Sequence, residues 1–358
     1  MFKLTYSSQN FPASLGPLLQ GTNTLQTDWP ELVWAALSVG KAEIRHLSRY
    51  GKFSWYELLM RLYMLRVNLR ESKGELVQTE VYKTLDPSEK NAISYFMGLT
   101  MAKLLANRFL DVPWLIHLDS FDVTRLTFGS KKRPDLLGHN RSKQWLIMEA
   151  KGRSGKVEKG LMPKALIQTQ AVDTVDRYSP FMRVASASFI KTKKSGVLAA
   201  QWECSVGSAS EPGVKLKLDS RAFLNRYYEL FRNLLDSNSP EDGTTTGVGL
   251  GTLGFLITSA QTSKDTPVGD RALVFRIADF PEFDIRIGLL DRSNEFLLEN
   301  KAWYNALFSN ENDNAIRGFF APDTFIAPDG ILIRLGPSWN SENMGKEPNE
   351  RLSATPTA

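Results

Sequence analysis

The chain has 358 residues, 42% hydrophobic and 11% aromatic, with a formal net charge of +5; this composition excludes a disordered chain and suits one elaborated domain or two. A single cysteine, Cys204, excludes an intrachain disulfide, and one Cys with three His argues against a structural zinc site. No run of 18 apolar residues exists, and Met1–Tyr6 lacks a signal-peptide core, so a cytoplasmic protein without a membrane span is expected.

Residues 1–84 read as an N-terminal helical elaboration. Asp28 is placed to cap a helix from Trp29 to Leu37, with Pro30 in its first turn. A second helix is expected from Ser54 to about Leu69, where Trp55, Leu58, Leu59, Leu62 and Leu65 recur at helical spacing. Asp86-Pro87-Ser88-Glu89 opens a further helix reaching Phe109. Strands are expected at 114–118 and 123–128. Arg133–Leu137 and Trp145–Glu149 read as a hairpin around a polar loop at 138–144, with His139 exposed in that loop. A helix at 163–175, strands at 184–190 and 197–204, and a helix at 223–235 complete a core spanning 85–235. Residues 236–248 read as a linker. A β-rich region at 249–340 follows, with strands at 254–258, 273–277, 283–289 and 331–335. Pro328-Asp329-Gly330 reads as the turn before the last of these. The polar tail at 341–358 is expected to be disordered, and Cys204 to be a small buried side chain.

One constellation carries chemistry. Residues two apart on a strand face the same way, so Glu149 and Lys151 project together while Ala150 points away. The hairpin brings Asp135 to the same neighbourhood. Two carboxylates can hold Mg²⁺ (or Mn²⁺), and a lysine beside them places positive charge where an attacked phosphate needs it. Residues 121–200 carry 16 Lys and Arg against 6 Asp and Glu, an excess of 10 and twice that of the whole chain. This is a phosphate-tracking surface or a solvated basic face. Lys131, Lys132 and Arg133 precede the motif, and Arg153 and Lys156 follow it in a segment expected to be a flexible basic loop.

Pro134-Asp135, thirteen intervening residues, then Glu149-Ala150-Lys151 resembles the PD-(D/E)XK nuclease superfamily, which includes restriction endonucleases and RecB-like nucleases. The resemblance covers roughly residues 85–205. It implies an α/β restriction-endonuclease-like core, a mixed sheet flanked by helices, with Asp135 and Glu149 binding Mg²⁺ and Lys151 assisting hydrolysis. It favours DNA over RNA as substrate. It also implies an acidic residue on the preceding helix. Glu89 is the candidate, since a 100° projection places it with Ile93, Phe96 and Thr100; the same residue occupies the capping-box position after Asp86. RecB-like members often carry a glutamine on the following helix. Gln168, placed by the same projection with Lys164 among Ile167, Ala171, Val172 and Val175, is assigned to orient substrate or water. Lys164 is then a phosphate contact or part of a solvated helix start.

The regions outside the resemblance point to a component of a bacterial restriction, phage-defence or mobile-element system with partner proteins. Cutting both strands would require a homodimer or a second nuclease. Two rival readings share the fold. One is a non-catalytic nucleic-acid-binding module. The other is an assembly subunit contacting partners through a C-terminal region that includes Trp303, Tyr304, Phe308, Phe319 and Phe320.

Overall fold

The computed structural model describes residues 1–39, 52–121, 133–191, 196–205, 213–236, 253–259, 272–290 and 323–339. The expected strand at 123–128, the linker after Asp236, the tail, the aromatic group from Trp303 to Phe320, and Lys131 and Lys132 lie outside these residues.

The N-terminal region is not purely helical. Phe2, Leu4, Tyr6 and Ser8 alternate with more exposed neighbours along β1 (Phe2–Gln9), which pairs antiparallel with β2 (Gly21–Thr27). Helix α1 (Trp29–Ser38) begins as expected, the Asp28 carboxylate accepting the Glu31 N–H at 3.0 Å. Helix α2 (Lys52–Asn68), the hairpin β3 (Leu69–Ser72) and β4 (Glu75–Gln78), and short α3 (Glu80–Thr84) follow. Helix α4 (Pro87–Leu110) leads into β5 (Trp114–His117), β6 (Leu136–His139) and β7 (Trp145–Arg153), an antiparallel meander. Next come α5 (Leu161–Thr169), β8 (Val172–Val175), β9 (Met182–Lys191), β10 (Val197–Cys204), β11 (Val214–Leu216) and α6 (Ser220–Asp236). Strands β12 (Leu253–Ser259), β13 (Ala272–Phe280), β14 (Ile285–Leu290), β15 (Thr324–Ile326) and β16 (Ile331–Leu335) form a separate five-stranded antiparallel sheet.

Among the described residues the large sheet has nine strands and runs β2-β1-β4-β10-β9-β7-β6-β5, with β3 attached to β4. It is mixed: β7 lies parallel to β9 and antiparallel to β6, and β1 lies parallel to β10. Residues 1–84 therefore supply strands to the sheet that carries the motif, and the expected boundary at 84 divides one structural unit. The helix expected at 163–175 ends at Thr169. Its last segment instead forms β8, whose β-branched residues pair in parallel with β11. Cys204 is buried, as expected. No described helix is long and apolar enough to cross a membrane.

Helices cover both faces of β7. A Cβ placed on Gly152 would lie 1.6 Å from the Ser94 carbonyl oxygen of α4, and one on Gly98 would lie 2.8 Å from the Gly152 nitrogen. The backbones of α4 and β7 thus touch with no side chain between them. Gly152 belongs to the strand and not to a flexible loop. On the other face, Leu161, Met162 and Ala165 of α5 pack on Ala185 and Ala187 of β9, the residues paired with Glu149 and Lys151. Gly152→Ala is expected to cost at least about 3 kcal/mol, because the added methyl meets backbone that cannot rotate away. Urea unfolding measures this, and a midpoint within error of wild type would refute it.

A buried polar network joins the two sheets. Lys103 of α4 and Asp329, in the turn before β16, are both fully buried. Lys103 donates to Tyr227 Oη at 2.7 Å and to the Pro113 carbonyl, with its ammonium 4.8 Å from the Trp34 ring centroid. Tyr227 Oη and Trp34 Nε1 donate to Asp329 Oδ2 at 2.5 and 3.0 Å, and the Ile331 N–H donates to Oδ1 at 3.1 Å. Burial pushes the Lys103 amine down to about 7 and the Asp329 carboxyl up, each partner opposing the other's shift. The expected turn at Pro328-Asp329-Gly330 is present, and its aspartate is a core residue.

His139 is a correction. It ends β6, is buried, contacts Trp145 edge-on at 4.7 Å, and shares a hydrogen bond of 2.8 Å with Ser220 Oγ. Burial, and then the charge of Lys143, push its imidazole down to about 4. The unfolded chain binds this proton near 6.5 while the folded one does not, so the stability contribution is complete above pH 6.5 and is lost as pH falls towards 4. His139→Phe is expected to remove an acid dependence of about 3 kcal/mol across that window. Denaturation at pH 7, 5.5 and 4 measures it, and parallel pH curves would refute it.

Candidate active site

The motif residues meet where β6 stops short. Strand pairing between β6 and β7 ends at Leu136 opposite Met148, whereas β7 runs on to Arg153. Side chains fill the notch that remains. Asp135 Oδ2 accepts the Ala150 N–H at 3.1 Å, and Glu149 Oε2 accepts the Asp135 N–H at 2.9 Å. Lys151 Nζ pairs with Glu149 Oε1. The hairpin and the i, i+2 spacing therefore bring Asp135, Glu149 and Lys151 together, as expected.

Glu149 is fully buried, while the Lys151 side chain is 24% exposed. Burial first, and then the charge of Asp135, push the Glu149 carboxyl up to about 8; Lys151 and the Asp135 N–H pull the other way. The buried Glu149 carboxyl, with Asp135 beside it, resists ionisation without an added cation. Lys151 supplies part of that charge. The donor chemistry, two hard oxygen groups beside a single lysine, fits a divalent cation that keeps several of its own waters. Among the described residues, no group of three or more His, Cys, Asp or Glu forms a closed cage.

Other expected residues divide. The exposed Glu89 closes the capping box: its Oε2 accepts the Asp86 N–H at 3.0 Å while Asp86 accepts the Glu89 N–H. The capping-box reading of Glu89 is the one the helix start shows. Gln168 reaches the motif, its Nε2 lying 3.4 Å from the Arg133 carbonyl. The apolar arc assigned to α5 is corrected: Leu161, Met162, Ala165 and Thr169 are buried, Ile167 is 64% exposed, and Lys164 is exposed. Arg133 pairs with Asp119 at 2.6 Å, so its charge is partly committed within the protein. Arg153 ends β7, where Nη1 donates to the Gly152 carbonyl, and Lys156 is exposed beyond it.

Sequence reasoning missed the wall beside the notch. His117, buried at the end of β5, pairs in register with Leu136, and the Leu118 N–H donates to the Asp135 carbonyl at 2.8 Å. Tyr95 Oη on α4 is 3.1 Å from His117 Nε2. The charges of Asp135 and Asp119 raise the His117 pKa against a larger depression from burial. The His117-Leu118-Asp119 spacing after a short strand was the available signal. Its value depended on knowing that β5 lies beside β6.

Comparison with models of protein families, with curated proteins and with solved structures found no match for this chain. The functional reading therefore rests on the geometry of the notch.

Proposed function

We propose that this chain is a metal-dependent nuclease of the PD-(D/E)XK type, with a restriction-endonuclease-like core, hydrolysing phosphodiester bonds in DNA. The observation that carries this reading is the buried Glu149 carboxyl beside Asp135 and Lys151 in the notch at the end of β6. Asp135 and Glu149 would hold the divalent cation, Mg²⁺ or Mn²⁺. Once bound, that ion supplies polarisation of the scissile phosphate and a lowered pKa for a coordinated water. Lys151 holds a positive charge beside the attacked phosphate and orients the water. Gln168 steadies the segment that carries Asp135. The exposed Lys156 and Lys164, with Arg153, supply positive charge for the DNA backbone, contacts that position the duplex without reading its sequence. The connectivity supports the reading: α4, the β5-β6-β7 meander, α5 and then β9 parallel to β7 put Asp135 just before β6 and Glu149 on the adjoining β7, with helices on both faces.

The test is cleavage of linear, supercoiled and single-stranded DNA with Mg²⁺ or Mn²⁺, comparing wild type with Glu149→Ala and Lys151→Ala. Activity that EDTA removes and both variants lack, with folding and DNA binding retained, is the expected result. Salt-sensitive DNA binding unaffected by EDTA, with no cleavage of any substrate, would replace this reading with a non-catalytic binding module. Stable co-purification with a partner and no nuclease activity in either would replace it with an assembly subunit.

A further inference from the structure

The wall beside the notch has a defined hydrogen-bond polarity. The Asp119 N–H donates to His117 Nδ1 at 3.3 Å, so Nδ1 is an acceptor and carries no proton. The Asp119 carboxylate is engaged by Arg133 at 2.6 Å, compared with 3.9 Å to His117 Nδ1. The ring proton then sits on Nε2, which donates to Tyr95 Oη at 3.1 Å. Tyr95 Oη is thereby an acceptor from His117, and its own O–H hydrogen remains to be donated elsewhere. Three contacts tie the residues flanking this hydroxyl and its histidine partner to the motif. Tyr95 follows Ser94, whose carbonyl abuts Gly152 next to Lys151; His117 pairs with Leu136 next to Asp135; and Leu118 bonds the Asp135 carbonyl. Asp135, Asp119 and Glu149 all act on the hydroxyl electrostatically, in the direction that keeps it protonated. Tyr95 is 39% exposed as a residue.

We propose that Tyr95 donates its hydroxyl hydrogen to a non-bridging oxygen of the DNA phosphate held at the notch, and that His117, as the Nε2–H tautomer, is the positioning residue that aims it. This rests on the nuclease reading. It assigns to α4 a phosphate-binding hydroxyl in place of the acidic ligand expected at Glu89. A neutral donor suits the task, because it favours the phosphate without competing with the cation for the carboxylates.

The test joins a spectrum to a rate. Nitrogen-15 NMR of the histidine rings at neutral pH should show His117 with a pyrrole-like Nε2 and a pyridine-like Nδ1, and Tyr95→Phe should shift the Nε2 resonance while leaving the tautomer unchanged. Single-turnover cleavage of DNA with Mg²⁺ by Tyr95→Phe should slow roughly 10- to 100-fold. Its DNA affinity, measured with Ca²⁺ in place of Mg²⁺, should stay within about threefold of wild type, since one phosphate contact among many contributes little to the total. A proton on Nδ1, or cleavage by Tyr95→Phe at the wild-type rate, overturns this proposal and leaves the nuclease reading standing. A wild-type protein that cleaves no DNA overturns both.

Discussion

Replacing Glu149 by glutamine is expected to remove DNA cleavage while making the metal-free protein more heat-stable at alkaline pH. The two effects share a cause. The folded protein holds the Glu149 proton up to about pH 8, whereas the unfolded chain releases it near the ordinary glutamate value of 4.5. Between those values the folded state binds more proton, so stability falls as pH rises. The contribution is complete below about 4.5 and gone above about 8. Glutamine, neutral throughout, escapes the penalty. Melting temperatures in EDTA should therefore converge at pH 5 and separate by several degrees at pH 9, with the variant higher. Mg²⁺ should reverse the order, because it stabilises the ionised pair in wild type and finds one carboxylate in the variant. Cleavage should fall on the order of 10³-fold, since losing a metal-holding carboxylate removes several kcal/mol of transition-state stabilisation. Melting curves that stay parallel from pH 5 to 9 would show that Glu149 carries no such strain.

Asp329→Ala should cost about 3–5 kcal/mol of stability, because it removes the charge that opposes the burial of Lys103 and leaves that amine to be neutralised or held unpaired. Lys103 sits at zero exposure in α4, and Asp329 is the carboxylate that offsets the cost of placing it there. The substitution also strips acceptors from Trp34 Nε1, Tyr227 Oη and the Ile331 N–H. Adding Lys103→Met should restore much of the loss, since an apolar side chain of similar length needs no partner. Urea midpoints of the two single variants and the double variant decide the matter. A double variant less stable than Asp329→Ala alone would mean that Lys103 is held by its other contacts and not by Asp329.

The contrast between two Pro-Asp pairs explains what could be read from residues alone. Asp135 and Asp329 follow proline in similar polar settings. The candidate site was found because Glu149 and Lys151 follow Asp135 at strand spacing, a local pattern that survives folding. The core role of Asp329 depends on Lys103, Trp34 and Tyr227, which are distant in sequence, and local spacing carries no trace of it. The capped starts of α1 and α4 were legible for the same local reason. The strand character of Phe2–Gln9 was visible as period-two alternation but was obscured by the Ser, Thr and Gly around it. Val172–Val175 has a helical reading in sequence because a 100° projection also gathers Val172 and Val175 on one side. Its pairing with β11 overrides the projection. Tyr95 and His117 were missed because their proximity to Asp135 is set by the β5-β6 register and by the seating of α4.

Gly152 and Gly98 bear on how evenly the candidate machinery is shared between elements. Where two backbones meet without side chains, the offset between helix and strand cannot be retuned by repacking. Ser94-Tyr95 and Lys151-Gly152 are therefore held at one fixed spacing by backbone contact. Side-chain losses elsewhere in the core would change how many molecules are folded at a given temperature while leaving each folded molecule's turnover intact. A change at the contact itself would shift the helix against the strand in molecules that remain folded.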